Sequence, residues 1–261
     1  MTFPRLHLFE LEDQPWLPGI VRDLATDYLC FIQATFRLHR PIVPLLAEAL
    51  RVTNQRQIVD LCSGGGGPVL EIQKALSAAG VNTSITLTDR FPNSRAFQQV
   101  EEASEKQITF VPESVDARCI PDQLIGLRTI FNSFHHFRAS DARKILLDAV
   151  GAGQPIAIFE YTERAVLIVV LTMILTPFLV ALATPFIRPF RWSRVVLTYL
   201  LPLIPLTCWW DGVVSQLRAY TVEELKTLTK ELPCDSYSWH AGTVALPGSL
   251  GHLSYLLGRS R

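Results

Sequence analysis

The chain has no net charge to offer a polyanion: its 261 residues carry 24 Lys plus Arg against 24 Asp plus Glu. That balance gives no bulk attraction to a phosphate backbone, so nucleic acid is not an expected partner. Cysteine is scarce too. The five present form an odd set with no C-x-x-C pair, which argues against a disulfide framework and against a zinc site, and no metal is expected. Unpaired thiols fit a reducing compartment, hence the cytoplasm. No internal repeat or low-complexity tract is visible. The opening MTFPRLHLFELEDQ interrupts any apolar run with proline and acids, so it does not read as a secretory signal. The length accommodates one α/β domain with an added element.

Two common nucleotide loops are also missing. The stretch Ile58 to Pro68, IVDLCSGGGGP, supplies only half of G-x-G-x-x-G, because Val69 stands where the third glycine belongs. A phosphate loop fails as well, since Lys74 lies too far along. What is there has its own logic. Ile58, Val59 and Leu61 read as a short buried strand, with Asp60 near its end. Gly64 to Gly67 follow, and a helical pattern starts at Val69 with Leu70, Ile72, Leu76 and Ala79 on one face. Strand, glycine turn and helix bring backbone close to a ligand at the carboxyl edge of an open sheet, because glycine has no Cβ in the way.

This turn resembles the first motif of class I S-adenosylmethionine-dependent methyltransferases, D-x-G-x-G-x-G, in their small-molecule branch. Matched by residue, Asp60 is the acid, Gly64 and Gly66 are the last two glycines, and Cys62 replaces the first. Ser84 to Asp89, SITLTD, reads as a second strand ending in an acid. Val115-Asp116-Ala117 is similar to the family's Asp-Ala pair, LRTIFNSF from Leu127 to Phe134 to a fourth strand, and PIAIFE from Pro155 to Glu160 to a fifth. The resemblance runs from about Arg51 to the C-terminus, with one interruption.

It implies a Rossmann-like α/β fold: a mostly parallel seven-stranded sheet with helices on both faces and an N-terminal helical cap, to which this chain's own uncharged run adds a hydrophobic helical insertion after the fifth strand. It implies S-adenosyl-L-methionine as cofactor, held by Asp60, Cys62, Ser63, Gly64, Gly65 and Gly66 at the turn. Asp89 would bind the ribose hydroxyls, Arg90 and Phe91 would border the adenine, Asp116 with Ala117 would meet its amino group, and Asn132 with Ser133 would close the site. His135 and His136, at the carboxyl end of the fourth strand, are candidates for a catalytic base or for positioning the acceptor. Glu160, Tyr161, Trp209, Trp210, Arg218 and Tyr220 are the candidate acceptor-binding residues, and Glu163 and Asp211 lie near them in sequence.

The expected organisation is a helical cap over 1–50, a cofactor-binding half over 51–164, an insertion over 165–210, and a C-terminal helix with closing strands over 211–261. Ile20, Leu24, Tyr28 and Ile32 give the cap its helical spacing, as do Leu45, Leu46 and Leu50 after Pro44. Tyr220 to Leu232 reads as a helix with Thr221 as N-cap, and Tyr237 to Val244 and His252 to Gly258 read as the closing strands.

The insertion stands apart. Ala165 to Ile187 holds twenty-three residues without a charge, Arg188, Arg191 and Arg194 follow, and Val195 to Trp210 is apolar again. A single membrane span would put the closing strands across the bilayer from the glycine turn, splitting one sheet. A double span would place the three arginines on the far side, against the positive-inside bias. Two readings remain: a hairpin that contacts a membrane from the cytosolic side, with the arginines and Trp192 near headgroups, or a buried lid over an apolar pocket. Together these features predict methyl transfer to a hydrophobic small-molecule or lipid-like acceptor, by a cytoplasmic protein peripheral or monotopic at a membrane. The alternative is a non-catalytic cofactor-binding module on a membrane or protein partner.

Overall fold

The computed structural model describes residues 3–232, 237–246, 248 and 251–261. Helices α1 (Gly19–Thr35) and α2 (Ile42–Thr53) precede the sheet. Then come β1 (Gln57–Leu61), α3 (Val69–Ala78), β2 (Ser84–Leu87), α4 (Ser94–Ala103), β3 (Ile108–Phe110), β4 (Leu127–Phe131), α5 (Ala139–Gly151) and β5 (Ile156–Glu160). The insertion forms α6 (Val166–Ala183), the short α7 (Trp192–Val195) continuing as a π turn to Leu200, and α8 (Leu203–Arg218). Helix α9 (Val222–Lys230) leads to β6 (Tyr237–Ala245) and β7 (His252–Ser260).

One seven-stranded sheet runs in the order β3-β2-β1-β4-β5-β7-β6. The first five strands are parallel and β7 enters antiparallel between β5 and β6. The central strands are buried on both faces: all residues of β4 and β5 are, and Ile58 to Leu61 of β1. That is how parallel strands sandwiched between helices read in sequence. Apolar clusters lie on both faces, one joining β1 and β2 to α2, α3 and Phe97 of α4, the other joining β4 and β5 to α5 and α9. Burying Arg128 in β4 is made tolerable by Asp148 of α5, 2.6 Å away. The α9 start is fixed by a capping box in which Thr221 and Glu224 satisfy each other's backbone N–H.

The strand order reverses between β1 and β4, and the crevice at their carboxyl ends is where an open α/β sheet binds its ligand. Two segments cover it. Helix α1 lies above the glycine turn, and the irregular strap of residues 3–18 is fastened to α8. Asp211 accepts from the backbone N–H of Leu11 and Glu12 at 2.6 and 3.0 Å, and the Trp210 indole donates to Phe9 O at 3.0 Å.

Helices α6 and α8 pack together, and both ends of the insertion return to the same sheet. A third cluster joins Val180, Ala183 and Ile187 to Ile204, Cys208 and to Leu24 and Tyr28 of α1. The rest of α6 faces outward. Leu167, Val170, Ile174, Phe178 and Leu182 follow one another along an exposed face, and Trp192 beyond it is 74% exposed. The expected trio of loop arginines divides. Arg188 is exposed, but Arg194 is buried and donates to Asp27 at 2.5 Å and to the carbonyls of Ile187 and Pro189, while Arg191 faces Asp27 at 3.5 Å. Arg194 therefore ties the insertion to α1 and is not available to headgroups.

Candidate functional site

The glycine turn is built for tightness. Asp60, buried at the end of β1, accepts from the hydroxyls of Ser63 (2.6 Å) and Thr129 (2.7 Å), so its carboxylate pins the loop from below. Burial raises its pKa to about 7, against the lowering effect of those two hydroxyls. Cys62, in the place of the first motif glycine, adopts a left-handed φ of 58°. The backbone there keeps the glycine conformation although the residue has changed. The expectation that Gly66 borders the ligand space is corrected: a Cβ on Gly66 would stand 2.8 Å from Val100 on α4, while Gly64, Gly65 and Gly67 line the cavity. On Gly65 a Cβ would meet the Thr26 methyl of α1 at 2.7 Å, so turn and helix touch without room for a side chain.

Two cavities meet at this turn. The smaller, about 280 Å³, lies between the turn, the ends of β4 and β5, and α8. The larger, about 630 Å³, extends past Asp89, Arg90 and Phe91. Cys62, Gly64, Ser133, His136, Thr26 and Glu12 belong to both. Asp89 accepts from Gly64 N (2.8 Å) and Phe91 N (2.7 Å), one bond on each oxygen, which leaves lone pairs on both for further donors. Asn132 lines the smaller cavity with φ of 51° and accepts from Tyr161 N through its amide oxygen at 3.0 Å.

The histidines sit in a short 3-10 turn, Phe134–His136, directly after β4. His135 is 1% exposed and shares a 2.6 Å hydrogen bond between its Nδ1 and Glu160. Glu160 also accepts from Phe134 N and Thr162 Oγ1. Glu160 is therefore a buried support behind His135 and not an acceptor-binding group. His136 is a quarter exposed and faces Asp13 (2.9 Å) and Glu10 (3.2 Å), both from the strap. Burial opposes its charge, but those two carboxylates prevail and raise it to about 9. With no ion bound, the imidazole is a donor at neutral pH, so it orients a partner and does not abstract a proton, and a metal ion would have to displace its Nδ1 proton.

Several expected acceptor residues point elsewhere. Trp209 donates to Met173 O of α6 and Trp210 to Phe9 O, so both are fasteners of α8. Tyr220 donates to Phe137 O and stacks under Arg5, within the core. Ala117 is core, and Asp116 is held by the Arg118 guanidinium at 2.6 Å, which keeps its carboxyl low, at about 2. Tyr161 lines the smaller cavity, and Arg218, buried, reaches Glu10 at 3.2 Å and Asp13 at 3.0 Å. Glu163 accepts from His252 N.

Sequence reasoning missed the strap. Glu10, Glu12 and Asp13 reach the site from the chain's beginning, and Glu12 lines both cavities with one buried oxygen, Oε1, lacking any hydrogen-bond partner. Burial and the neighbouring Asp211 and Glu10 push the Glu12 carboxyl up to about 8, and burial pushes Asp211 to about 7. The face of α8 that meets the cavity, Cys208, Asp211, Gly212, Ser215 and Gln216, follows helical spacing that was legible beside the more conspicuous tryptophans.

No model of a known protein family matches the chain, and no curated sequence does. Solved structures do. A putative O-methyltransferase from Nostoc punctiforme aligns with a TM-score of 0.51 over 97% of this chain and 64% of its own, at 13% identity. Mitomycin 7-O-methyltransferase aligns with a TM-score of 0.50 over 88% of this chain and 54% of its own, also at 13% identity. The chain has the class I methyltransferase fold. It spans less than two thirds of the length of either relative, and at such identity the likeness is one of architecture. The methyltransferase fold accounts for the strand order and for the crevice between β1 and β4.

Proposed function

We propose that the chain transfers the methyl group of S-adenosylmethionine to a hydrophobic small-molecule or lipid-like acceptor at a membrane surface. The names of its structural relatives, O-methyltransferases, favour methyl transfer as the reaction class. The observation that carries the reading is the junction of the two cavities at Cys62, Gly64, Ser133 and His136, which gives an elongated ligand a continuous path from Asp89 to the histidine.

The residues present suit that cofactor. Asp89 has lone pairs free on both oxygens for a pair of ribose hydroxyls, with Arg90 and Phe91 beside the adenine. The methionine part would lie on Gly64, Gly65 and Gly67, closed from above by Thr26 and Cys30 of α1, which makes α1 the cap. Glu12, with its unpartnered oxygen at the junction, would give up its proton beside a ligand that carries positive charge. When bound, the cofactor supplies a methyl already activated for in-line displacement. The protein's part is to align the acceptor and exclude water. His136 and Arg218 orient the acceptor, His135 lines the smaller cavity beside Glu10, and Asp116 acts through Arg118, which lines the larger cavity.

Helix α8 links the cavity to the membrane, because one of its faces lines the pocket and another packs on α6. The outward row from Leu167 to Leu182, with Phe186, Phe190 and Trp192, would enter the acyl boundary from the cytosolic side. Both ends of the insertion return to one sheet, which argues against a single crossing, and the positive-inside bias disfavours a double one, so we read the segment as one that dips. Nucleic acid has no part in this reading.

The test is label transfer from S-adenosylmethionine to a total lipid extract, with mass spectrometry of small molecules that co-purify with the chain. Label in an organic-phase product is expected. Cofactor binding without any transfer would instead make the chain a binding module.

A further inference from the structure

His135 is oriented so that its second nitrogen has no partner. Its Nδ1–H donates to Glu160, a carboxylate that also receives a backbone N–H and a hydroxyl, so Nε2 carries the lone pair. That nitrogen is buried and unbonded. It faces Glu10 Oε1 at 3.7 Å, too far for a hydrogen bond, with electron-rich atoms on both sides of the gap. A buried lone pair opposite a carboxylate can hold a cation between them, here beside Arg218 and the Ser215 hydroxyl, which each reach that oxygen at 3.2 Å. Glu10 Oε2 lies 3.2 Å from His136 Nδ1, and Asp13 Oδ1 is 2.9 Å from the same nitrogen. The ligand atoms of Glu10, His135 and His136 lie within 4.8 Å of one another.

We propose that Glu10, His135 and His136 hold a divalent first-row transition ion, with Asp13 at the edge of the site and Glu160 fixing the His135 ring. Ligand atoms about 2.1 Å from a tetrahedral metal stand roughly 3.4 Å apart, inside the 4.8 Å within which one atom of each of the three residues gathers. Two imidazoles with a carboxylate suit zinc, manganese, iron or cobalt better than magnesium or calcium. Glu160 behind His135 is the carboxylate–histidine support that sets the tautomer of a metal-bound imidazole. Arg218 borders the site, 3.2 Å from the same Glu10 Oε1 that faces His135. It takes one oxygen of Glu10 and one of Asp13, and the other oxygen of each faces His136. The ion goes beyond the proposed methyl transfer and does not depend on it. Where that transfer holds, the ion would lie beside the acceptor end of the smaller cavity.

The test uses the untagged full chain, stripped with chelator and titrated with cobalt(II) chloride by calorimetry and visible absorption. One equivalent should bind, displaceable by zinc(II), and should raise the thermal midpoint. Glu10→Gln and His135→Gln should each weaken cobalt binding at least tenfold, and Glu160→Gln by about 10- to 100-fold although it touches no ion. His252→Gln, which alters an exposed His–Glu163 pair elsewhere, should bind as the parent does. If His135→Gln does not fold, Glu10→Gln on the strap and Glu160→Gln decide the matter. No saturable binding by the parent, or unchanged binding in Glu10→Gln and Glu160→Gln, overturns the proposal. S-adenosylhomocysteine titrated into the stripped chain is a separate readout. Its binding without cobalt binding refutes only the ion site, and cobalt binding without it refutes only the cofactor reading.

Discussion

Thr26 of α1 rests on Gly65 so closely that a Cβ on the glycine would stand 2.7 Å from the threonine methyl. The contact couples the cap to the turn. Gly65→Ala should cost about 1–3 kcal/mol through overpacking. Thr26→Ser, which removes the clashing methyl, should recover most of that loss in the double variant. Denaturant midpoints of the four proteins measure the coupling, and additive effects would show that α1 does not lie on the turn.

Cys62 holds a φ of 58°, a conformation that costs a non-glycine residue about 1 kcal/mol or more. Cys62→Gly should leave stability and S-adenosylhomocysteine affinity near the parent's, since relief of strain offsets the added freedom of the unfolded chain. Cys62→Val, with its branched Cβ, should be destabilised by about 2 kcal/mol. Equal melting of the glycine and valine variants would contradict the left-handed turn.

The cavity walls hold protons that the unfolded chain would release. Glu12 moves from 4.5 to about 8, Asp211 and Asp60 from 3.8 to about 7, and His136 from 6.5 to about 9. In each case the folded state binds more protons, so stability falls as pH rises through these windows. Asp13, His7 and His39 are shifted down and have the opposite sign; the Asp13 window lies below 3.8, and that of His7, from about 4 to 6.5, is outweighed there by Glu12, Asp211 and Asp60. The chelator-treated chain should therefore melt at progressively lower temperature from pH 5 to pH 9. Glu12→Gln and Asp211→Asn should flatten the decline. A melting temperature that rises with pH would refute the protonated walls.

The arginine loop behaves differently from what its sequence suggests. Arg194→Gln should destabilise the fold by at least about 2 kcal/mol, because it strands Asp27 and two carbonyls. Phe178→Glu with Leu182→Glu should leave melting unchanged and abolish sedimentation with lipid vesicles. Vesicle binding that survives the double change would remove α6 from the contact.

Much of the sheet could be read from sequence because its central strands are short, doubly buried apolar runs closed by a glycine turn or an acid. Asp89, the end of β5 and the capped α9 emerged for the same reason: each depends on local pattern. Strand β3 is three residues long, too short for any pattern. The strap acids were invisible because Glu10 and Asp13 meet His136 across more than a hundred residues, through an irregular segment with no period. Trp209 and Trp210 drew attention by size, yet helical geometry turns them away from the cavity and brings Cys208, Asp211 and Ser215 to it. The arginines misled because charge in sequence does not reveal burial: Arg194 found Asp27 on α1.

Calorimetric titration of S-adenosylhomocysteine into the parent chain and Asp89→Ala tests the central claim most directly. One equivalent should bind the parent, and loss of the Asp89 carboxylate should weaken binding by about 2–3 kcal/mol. Absence of binding by the parent, or equal affinity in the two proteins, would contradict a cofactor site running from Asp89 across the glycine turn.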